Sequence, residues 1–274
     1  MMSLLFLACG AECPEGQIRE EGLCVDYEAG EPVQAPSAWH PAPGRSWQWQ
    51  LSGTPDLSFD VEMFDLDLFD TPDETIAQLH ADGRVLICYF SAGTLEDWRE
   101  DAGSFPERAV GRALPEWAGE RWLDLTDAEV REALARRLDR AVERGCDGVE
   151  PDNVDGYANN NGVNLTATEQ LAANRWLADG AHERGLSVGL KNDLDQVEAL
   201  LPWFDWALNE ECAAYQECER LSAFTDAEKA AFHVEYVDDW SESGALAARV
   251  CEAGERLDTL IKLPELGPER LACD

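Results

Sequence analysis

Basic residues are scarce in this chain. Twenty-one Lys and Arg stand against 56 Asp and Glu in 274 residues, a formal net charge of −35. A surface that negative repels phosphates, which argues against DNA, RNA and anionic membrane faces and favours cationic or neutral partners. No apolar run is long enough to span a bilayer. HExxH, GxSxG, a Walker loop and GxGxxG are all missing, so zinc-protease, serine-hydrolase and nucleotide-binding chemistries have no signature here. The four His, at 40, 80, 182 and 233, are too dispersed to suggest a metal cluster. His80 and His182 fall where helices are expected to end and read as caps. The run DNVDGYANNNG (152–162) has the texture of a calcium loop without its ligand spacing. No metal or cofactor is therefore expected.

Cysteine, by contrast, is plentiful: nine residues, none in a CxxC pair. Oxidised bridges in an exported protein are the simpler reading. The apolar stretch Met1–Ala8 runs into Cys9 and resembles a bacterial lipoprotein cleavage box, although it lacks a basic leader. The expected organisation is a signal remnant over 1–9, a Cys/Pro-rich tether over 10–43 and one domain over 44–274. The expected location is the cell envelope, anchored through Cys9, or the medium, and the expected state is a monomer. With Cys9 set aside, closeness in sequence pairs Cys13 with Cys24 and Cys212 with Cys218. Elimination leaves Cys88–Cys146 and Cys251–Cys273.

From Trp47 onward, short apolar runs alternate with helical stretches. Gly83, Gly145, Gly185 and, more loosely, Gly254 each stand between a helical stretch and a β-rich run, as a left-handed helix stop would. Thr126-x-x-Glu129, Thr166-x-x-Glu169 and Thr225-x-x-Glu228 read as capping boxes. Val130, Leu134, Leu138 and Val142 form one apolar helical stripe. Eight strands are predicted, at 46–52, 61–67, 84–90, 147–152, 186–192, 205–211, 232–237 and 258–263, with an extra short run at 121–125. Eight such units predict an α/β fold of the (β/α)8 TIM-barrel type, with a short disulfide-containing N-terminal extension. A doubly wound open sheet is the alternative, but no Gly-rich phosphate turn follows the first strand.

In a barrel, function collects at the C-terminal strand ends, where buried charge is costly unless it serves a site. Here the ends carry Asp65 and Asp67; Tyr89 and Ser91; Glu150, Asp152 and Asn153; Lys191, Asn192 and Asp193; Asn209, Glu210 and Glu211; His233, Glu235 and Tyr236; and Lys262. Strand alternation sends Glu150, Asp152 and Lys191 toward the axis if Val149, Val188 and Leu190 face the helices. The same rule sends His233 and Glu235 inward if Val234 faces outward. The result is an acidic bowl containing one or two lysines. Trp49, Tyr89, Trp98, Tyr157 and Tyr236 near its rim suit sugar rings, and paired carboxylates suit glycoside hydrolysis.

The segments WQWQLSG (47–53), FDLDLFDT (64–71), LICYFSAGTLEDWR (86–99), GCDGVEPDNVDGY (145–157), GLSVGLKND (185–193), FDWALNEEC (204–212) and FHVEYV (232–237) resemble glycoside hydrolase family 114, the endo-α-1,4-polygalactosaminidases. The resemblance runs in order through residues 39–265 and leaves 1–38 outside it. It implies a barrel that cleaves α-1,4-linked galactosamine polymers, with Asp152 as nucleophile and Glu210 as general acid/base. Parity favours Asp152 over Asn153 but does not separate Glu210 from Glu211, and the neighbours Glu150 and Glu211 are the alternatives to the catalytic pair. Deacetylated galactosamine is an ammonium cation, so Asp65, Asp67 and Glu235 are expected to hold amino or hydroxyl groups. Trp49, Tyr89, Ser91, Glu150, Asn153, Lys191, Asn192, Asn209 and Tyr236 complete the expected substrate site. Lys191 is expected to keep Asp152 ionised, and an apolar rim with Trp206 to help Glu210 hold a proton. The rival readings are a non-catalytic sugar-binding lipoprotein, a glycosidase for another α-linked amino sugar, and a calcium-stabilised surface protein.

Overall fold

A computed structural model describes residues 13–20, 23–251 and 256–273. Cys9 and Gly254 lie outside the described residues.

The chain begins with a hairpin of β1 (Gln17–Glu20) and β2 (Leu23–Asp26), followed after a Pro-rich stretch by β3 (Trp47–Gln50) and β4 (Met63–Asp67). Helix α1 (Asp73–Ala81) leads to β5 (Val85–Ser91). An arm of β6 (Thr94–Glu96), β7 (Val110–Ala113) and β8 (Glu120–Leu123) precedes α2 (Ala128–Arg144). Then follow β9 (Gly148–Asp152), α3 (Ala167–His182), β10 (Ser187–Lys191), α4 (Val197–Leu200), β11 (Trp206–Glu210), α5 (Cys212–Tyr215) and α6 (Ser222–Asp226). The chain closes with β12 (Ala231–Tyr236), α7 (Ser243–Val250), β13 (Asp258–Lys262) and β14 (Leu271–Ala272).

All eight predicted strands are present, each beside its sequence neighbour and parallel to it, in the order β3-β4-β5-β9-β10-β11-β12-β13. β14 adds an unforeseen antiparallel ninth strand beside β13. The sheet is curled, and its first and eighth parallel strands approach each other. The Trp47 indole donates to the Asp258 carbonyl at 2.8 Å, and the Lys262 ammonium donates to Gln48 at 3.3 Å. Among the described pairings no backbone ladder joins β3 to β13.

Two apolar layers explain the curl. Outward-facing Phe64, Leu66, Leu86, Val149, Val188 and Leu190 pack under the helices, while Trp47, Trp49, Ile87, Trp206, Phe232 and Val234 fill the inside. Trp206 crosses Phe232 edge-on at 5.5 Å and lies so close to Gly189 that a Cβ there would sit 2.2 Å from its ring. Only glycine fits that position.

Helix signals held in part. Gly145 stops α2 at φ +83, and Gly83 and Gly185 also adopt positive φ. The Thr166–Glu169 capping box forms in full. At Thr126 it does not: Asp127, one residue on, takes the cap by accepting from the Glu129 and Val130 amides. Thr225 lies inside α6 and caps nothing. Val142 is exposed; the buried face of α2 runs through Val130, Ala133, Leu134, Arg137, Leu138 and Ala141.

All four expected disulfides are present: Cys13–Cys24, Cys88–Cys146, Cys212–Cys218 and Cys251–Cys273. The Cys/Pro-rich segment lies against the domain at several points. Arg19 bridges Asp124 and Glu169, the Val33 amide donates to Asp179, and Ala35 is buried. His40 and His182 both hold Asp205, at 2.8 and 3.0 Å, and each also reaches a carbonyl of this segment, Ala35 and Val33 respectively.

Burial would lower the His182 pKa, but the bond and charge of Asp205 outweigh it and raise it above 6.5. A raised histidine adds stability that is fully present below its unfolded pKa and is lost as pH rises through the folded one. The melting temperature of the wild type is therefore expected to exceed that of His182→Gln in weak acid, with the gap closing toward alkaline pH. A gap that widens with pH would contradict this role.

No helix among the described residues is long and apolar enough to cross a membrane.

Candidate active site

The parallel strands all point their C-terminal ends at one cleft of about 980 Å³, roofed on one side by the β6–β8–β7 arm. The backbone turns sharply as it leaves three of them. Asn153 after β9, Asn192 and Asp193 after β10, and Glu211 after β11 all have φ between +46° and +61°. Non-glycine residues in this region are uncommon and cluster at functional strand ends.

Lys191 is the hub. Its ammonium lies 3.0 Å from Asp152, 3.1 Å from Glu150 and 3.2 Å from Glu210, with the Trp49 ring 4.8 Å away. Burial would lower its pKa, but the charges of Asp152, Glu210 and Glu150 raise it well above the ordinary value. Lys191 is therefore a fixed cation. The Asp152 and Glu210 oxygens it touches are no more than about 6 Å apart.

Each of these two carboxylates has its own tyrosine. Tyr89 donates to Asp152 at 3.1 Å and Tyr236 donates to Glu210. Burial, then the adjacent carboxylate charge, raises both phenols well above 10, so they remain donors. Asp152 also accepts from the Asn153 amide at 2.7 Å, and Glu210 from the Asn192 side chain at 3.3 Å. Both carboxylates keep some exposure to the cleft, 18% and 27% of their side chains.

Beneath them the carboxyls are sealed. Glu150 has no exposed surface and accepts from the Trp49 indole at 2.9 Å. Asp65 is equally buried, and neither of its oxygens has a donor. Burial and the neighbouring Glu150 charge push Asp65 well above the ordinary carboxyl range; burial also raises Glu150, against the pull of Lys191. Asp65 has less than Glu150 to favour its charged form: Glu150 accepts from Trp49 and lies 3.1 Å from the Lys191 ammonium, whereas no donor meets Asp65.

Asp65, Trp49, Tyr89, Glu150, Asp152, Lys191, Asn192, Glu210 and Tyr236 thus come together, with Trp49 as floor rather than rim. Other expected members are committed elsewhere. Asp67 is bound at both oxygens by Arg99, at 3.0 and 2.6 Å. Ser91 is buried, bonded to Thr94 and to the Asn153 side chain, and Asn209 is buried against Asn192. Glu235 departs from expectation: on β12 it is Phe232 and Val234 that face inward with Tyr236, so His233 and Glu235 point the other way. There Glu235 accepts from His233 and from the Ala213 and Ala214 amides, and His233 meets Thr259 at 3.0 Å. Trp206 is no rim residue either, being sealed in the inner layer and bonded to Ser187.

A larger hollow of about 1380 Å³ opens beside His233 and Glu235, between β12, β13 and α7, and there Glu235 is already bound by the Ala213 amide and His233. Cys212, Cys218 and His233 bring possible ligand atoms within 4.8 Å, yet both sulfurs are spent in a disulfide.

Sequence reasoning missed Arg99, Glu120 and Asp155, which all line the cleft. Burial raises Glu120 to about 7, and burial with the Asp152 charge raises Asp155 to about 6. Asp155 stands three residues past Asp152, within the motif already singled out, but beyond the strand where alternation has meaning.

The sequence model of glycoside-hydrolase family GH114 matches residues 29–274. The chain belongs to this family. As a GH114 member it is a glycoside hydrolase, and its paired carboxylates fit that chemistry. Among solved structures it is similar to Aspergillus fumigatus Ega3 in complex with galactosamine, with 39% identity, 89% of this chain and 100% of that one covered, and a TM-score of 0.83. It shares its fold with the glycoside hydrolase domain of PelA from Pseudomonas aeruginosa at 18% identity, 83% and 98% coverage and a TM-score of 0.65. A comparison with curated proteins gives no match.

Proposed function

We propose that this GH114 enzyme hydrolyses α-1,4-linked galactosamine polymers by double displacement, with Asp152 as nucleophile and Glu210 as general acid/base. The observation that carries the reading is the Lys191 ammonium, which touches both carboxylates. Retaining glycosidases place their carboxyls about 5–5.5 Å apart and inverting ones about 6.5–9.5 Å, and two carboxylates drawn onto one ammonium at 3.0 and 3.2 Å favour the closer arrangement. Both carboxylates meet Lys191 and a tyrosine, but Asp152 adds a backbone amide at 2.7 Å where Glu210 has the Asn192 side chain at 3.3 Å, which favours Asp152 as the group that attacks as an anion. Glu210 is the more exposed of the pair and suits delivery of a proton to the leaving oxygen. In the first step Glu210 protonates that oxygen while Asp152 bonds to the anomeric carbon. In the second, Glu210 takes a proton from water, which displaces Asp152.

The galactosamine bound to Ega3 and the net charge of −35 both support a cationic substrate, since the field concentrates ammonium sugars near the cleft. Asp155, Glu120 and Glu211 line the cleft and would meet amino groups. The same reading takes the curled sheet as a (β/α)8 barrel, with the Trp47–Asp258 and Lys262–Gln48 bonds drawing its first and last parallel strands together. It also takes the protein as an exported monomer, in keeping with its four disulfides. On this reading it is either held at the cell envelope through Cys9 or released to the medium, and the catalytic domain occupies 44–274.

The test is incubation with α-1,4-galactosamine polymer and with its acetylated form, followed by mass analysis. A ladder of galactosamine oligomers from the deacetylated polymer is expected. No product from either polymer would overturn the reading, and product from the acetylated form alone would remove its cationic element.

A further inference from the structure

The β6–β8–β7 arm carries two tryptophans that the chemistry above does not use. Trp98 follows β6 and Trp117 precedes β8; both line the cleft, yet they are 52% and 56% exposed. Among the described residues they are the two tryptophans that stand exposed, whereas Trp47, Trp49 and Trp206 are sealed inside. Two indoles left half in water on the wall of one cleft have apolar area still to bury, which a bound ligand could cover.

The geometry points to a sugar-stacking platform: Trp98 and Trp117 grip polymer units beyond the cleavage point, and so make long chains the better substrate. This rests on the galactosamine-polymer reading and extends it to units the carboxylate pair never touches.

The platform is firmly built. The Trp98 ring rests on Gly119, where a Cβ would sit 2.9 Å from the indole and where φ is +96°. The Glu120 amide donates to the Trp117 carbonyl at 3.1 Å, closing the turn that bears Trp117, and the Asp97 amide donates to the Gly119 carbonyl at 3.1 Å, tying the segment that bears Trp98 to that turn. The arm is also keyed to the catalytic strand. The Ala92 and Gly93 amides both donate to the Asp152 carbonyl, at 2.9 and 3.0 Å, and the Leu123 amide donates to the Gly93 carbonyl at 2.8 Å. A Cβ on Gly93 would overlap the Asn153 carbonyl at 1.7 Å, so that approach admits glycine alone. Backbone hydrogen bonds therefore run from the arm that bears the rings to the residue that carries the nucleophile.

The ligand chemistry matches. A galactopyranosyl ring with its axial 4-hydroxyl presents one continuous C–H face, which packs flat on an indole. A 2-ammonium adds attraction to the π face and to nearby carboxylates. Glu116 and Glu120, on the same arm, line the cleft beside the rings. A neutral sugar would use only the first of these contacts; a galactosamine chain uses both.

The experiment compares wild type, the double variant W98A/W117A and the conservative W98F/W117F on long galactosamine polymer and on the shortest oligomer that wild type cleaves. W98A/W117A is expected to raise KM for polymer at least about tenfold, with kcat and the rate on the short oligomer held within about twofold. W98F/W117F is expected to recover most of the loss. Equal KM for polymer in wild type and W98A/W117A overturns the platform, as does an equal loss on both substrates. Wild type inert on every galactosamine substrate overturns the underlying reading instead, and is seen before any variant is made.

Discussion

Asp152→Asn is expected to abolish hydrolysis, lowering kcat by roughly four orders of magnitude or more, with the melting temperature nearly unchanged. The amide fills the same volume between Tyr89, Lys191 and the Asn153 amide, so packing survives. What goes is the negative charge that attacks the anomeric carbon. Reducing-end release on galactosamine polymer, read beside a thermal melt, checks both halves, and substantial residual activity would remove Asp152 from the mechanism. Glu210→Gln separates the roles. An acid is dispensable when the leaving group departs unaided, so this variant should lose far less on an aryl galactosaminide than on polymer. Asp152→Asn should lose on both alike.

Lys191→Met is expected to cost stability as well as activity. The buried ammonium stands among Asp152, Glu150 and Glu210, and its removal leaves Glu150 sealed without a counter-charge. Breaking a buried pair from one side costs about 3–5 kcal/mol, less whatever protonation recovers. The sign with pH follows from the raised carboxyls. Asp65 and Glu150 both titrate above their ordinary values, so the stability they contribute is complete in acid and is lost as pH rises through the raised values. Without Lys191 nothing draws Glu150 down, and the window of loss extends upward. The melting-temperature gap between wild type and Lys191→Met should therefore widen from about pH 5 to about pH 8. A gap independent of pH would mean that Lys191 does not offset the buried carboxyls.

Much of this site is legible from strand periodicity. Val149, Val188 and Leu190 look outward to the helices, so Glu150, Asp152 and Lys191 had to converge inside, and they do. The same rule failed on β12, because its premise about Val234 was reversed. Phe232 and Val234 are needed on the inside to complete a layer with Trp47 and Trp206. His233 and Glu235 then find partners outside, at Thr259 and the first amides of α5. Alternation fixes which residues share a face, but it cannot say which face is which when both sides of a strand are buried. Asp67 was placed on the right face, yet its role changed because Arg99 arrives from an arm whose fold the sequence pattern did not reveal. Thr126 lost its cap to Asp127, a competition that spacing alone leaves undecided.

The most direct test of the central claim is proton NMR of the reducing ends formed in the first turnovers on α-1,4-galactosamine polymer. A pair of carboxylates gathered on one lysine ammonium predicts that the α-anomer appears first and mutarotates to β later. First appearance of the β-anomer would mean a single displacement by water, and would contradict the nucleophilic role of Asp152.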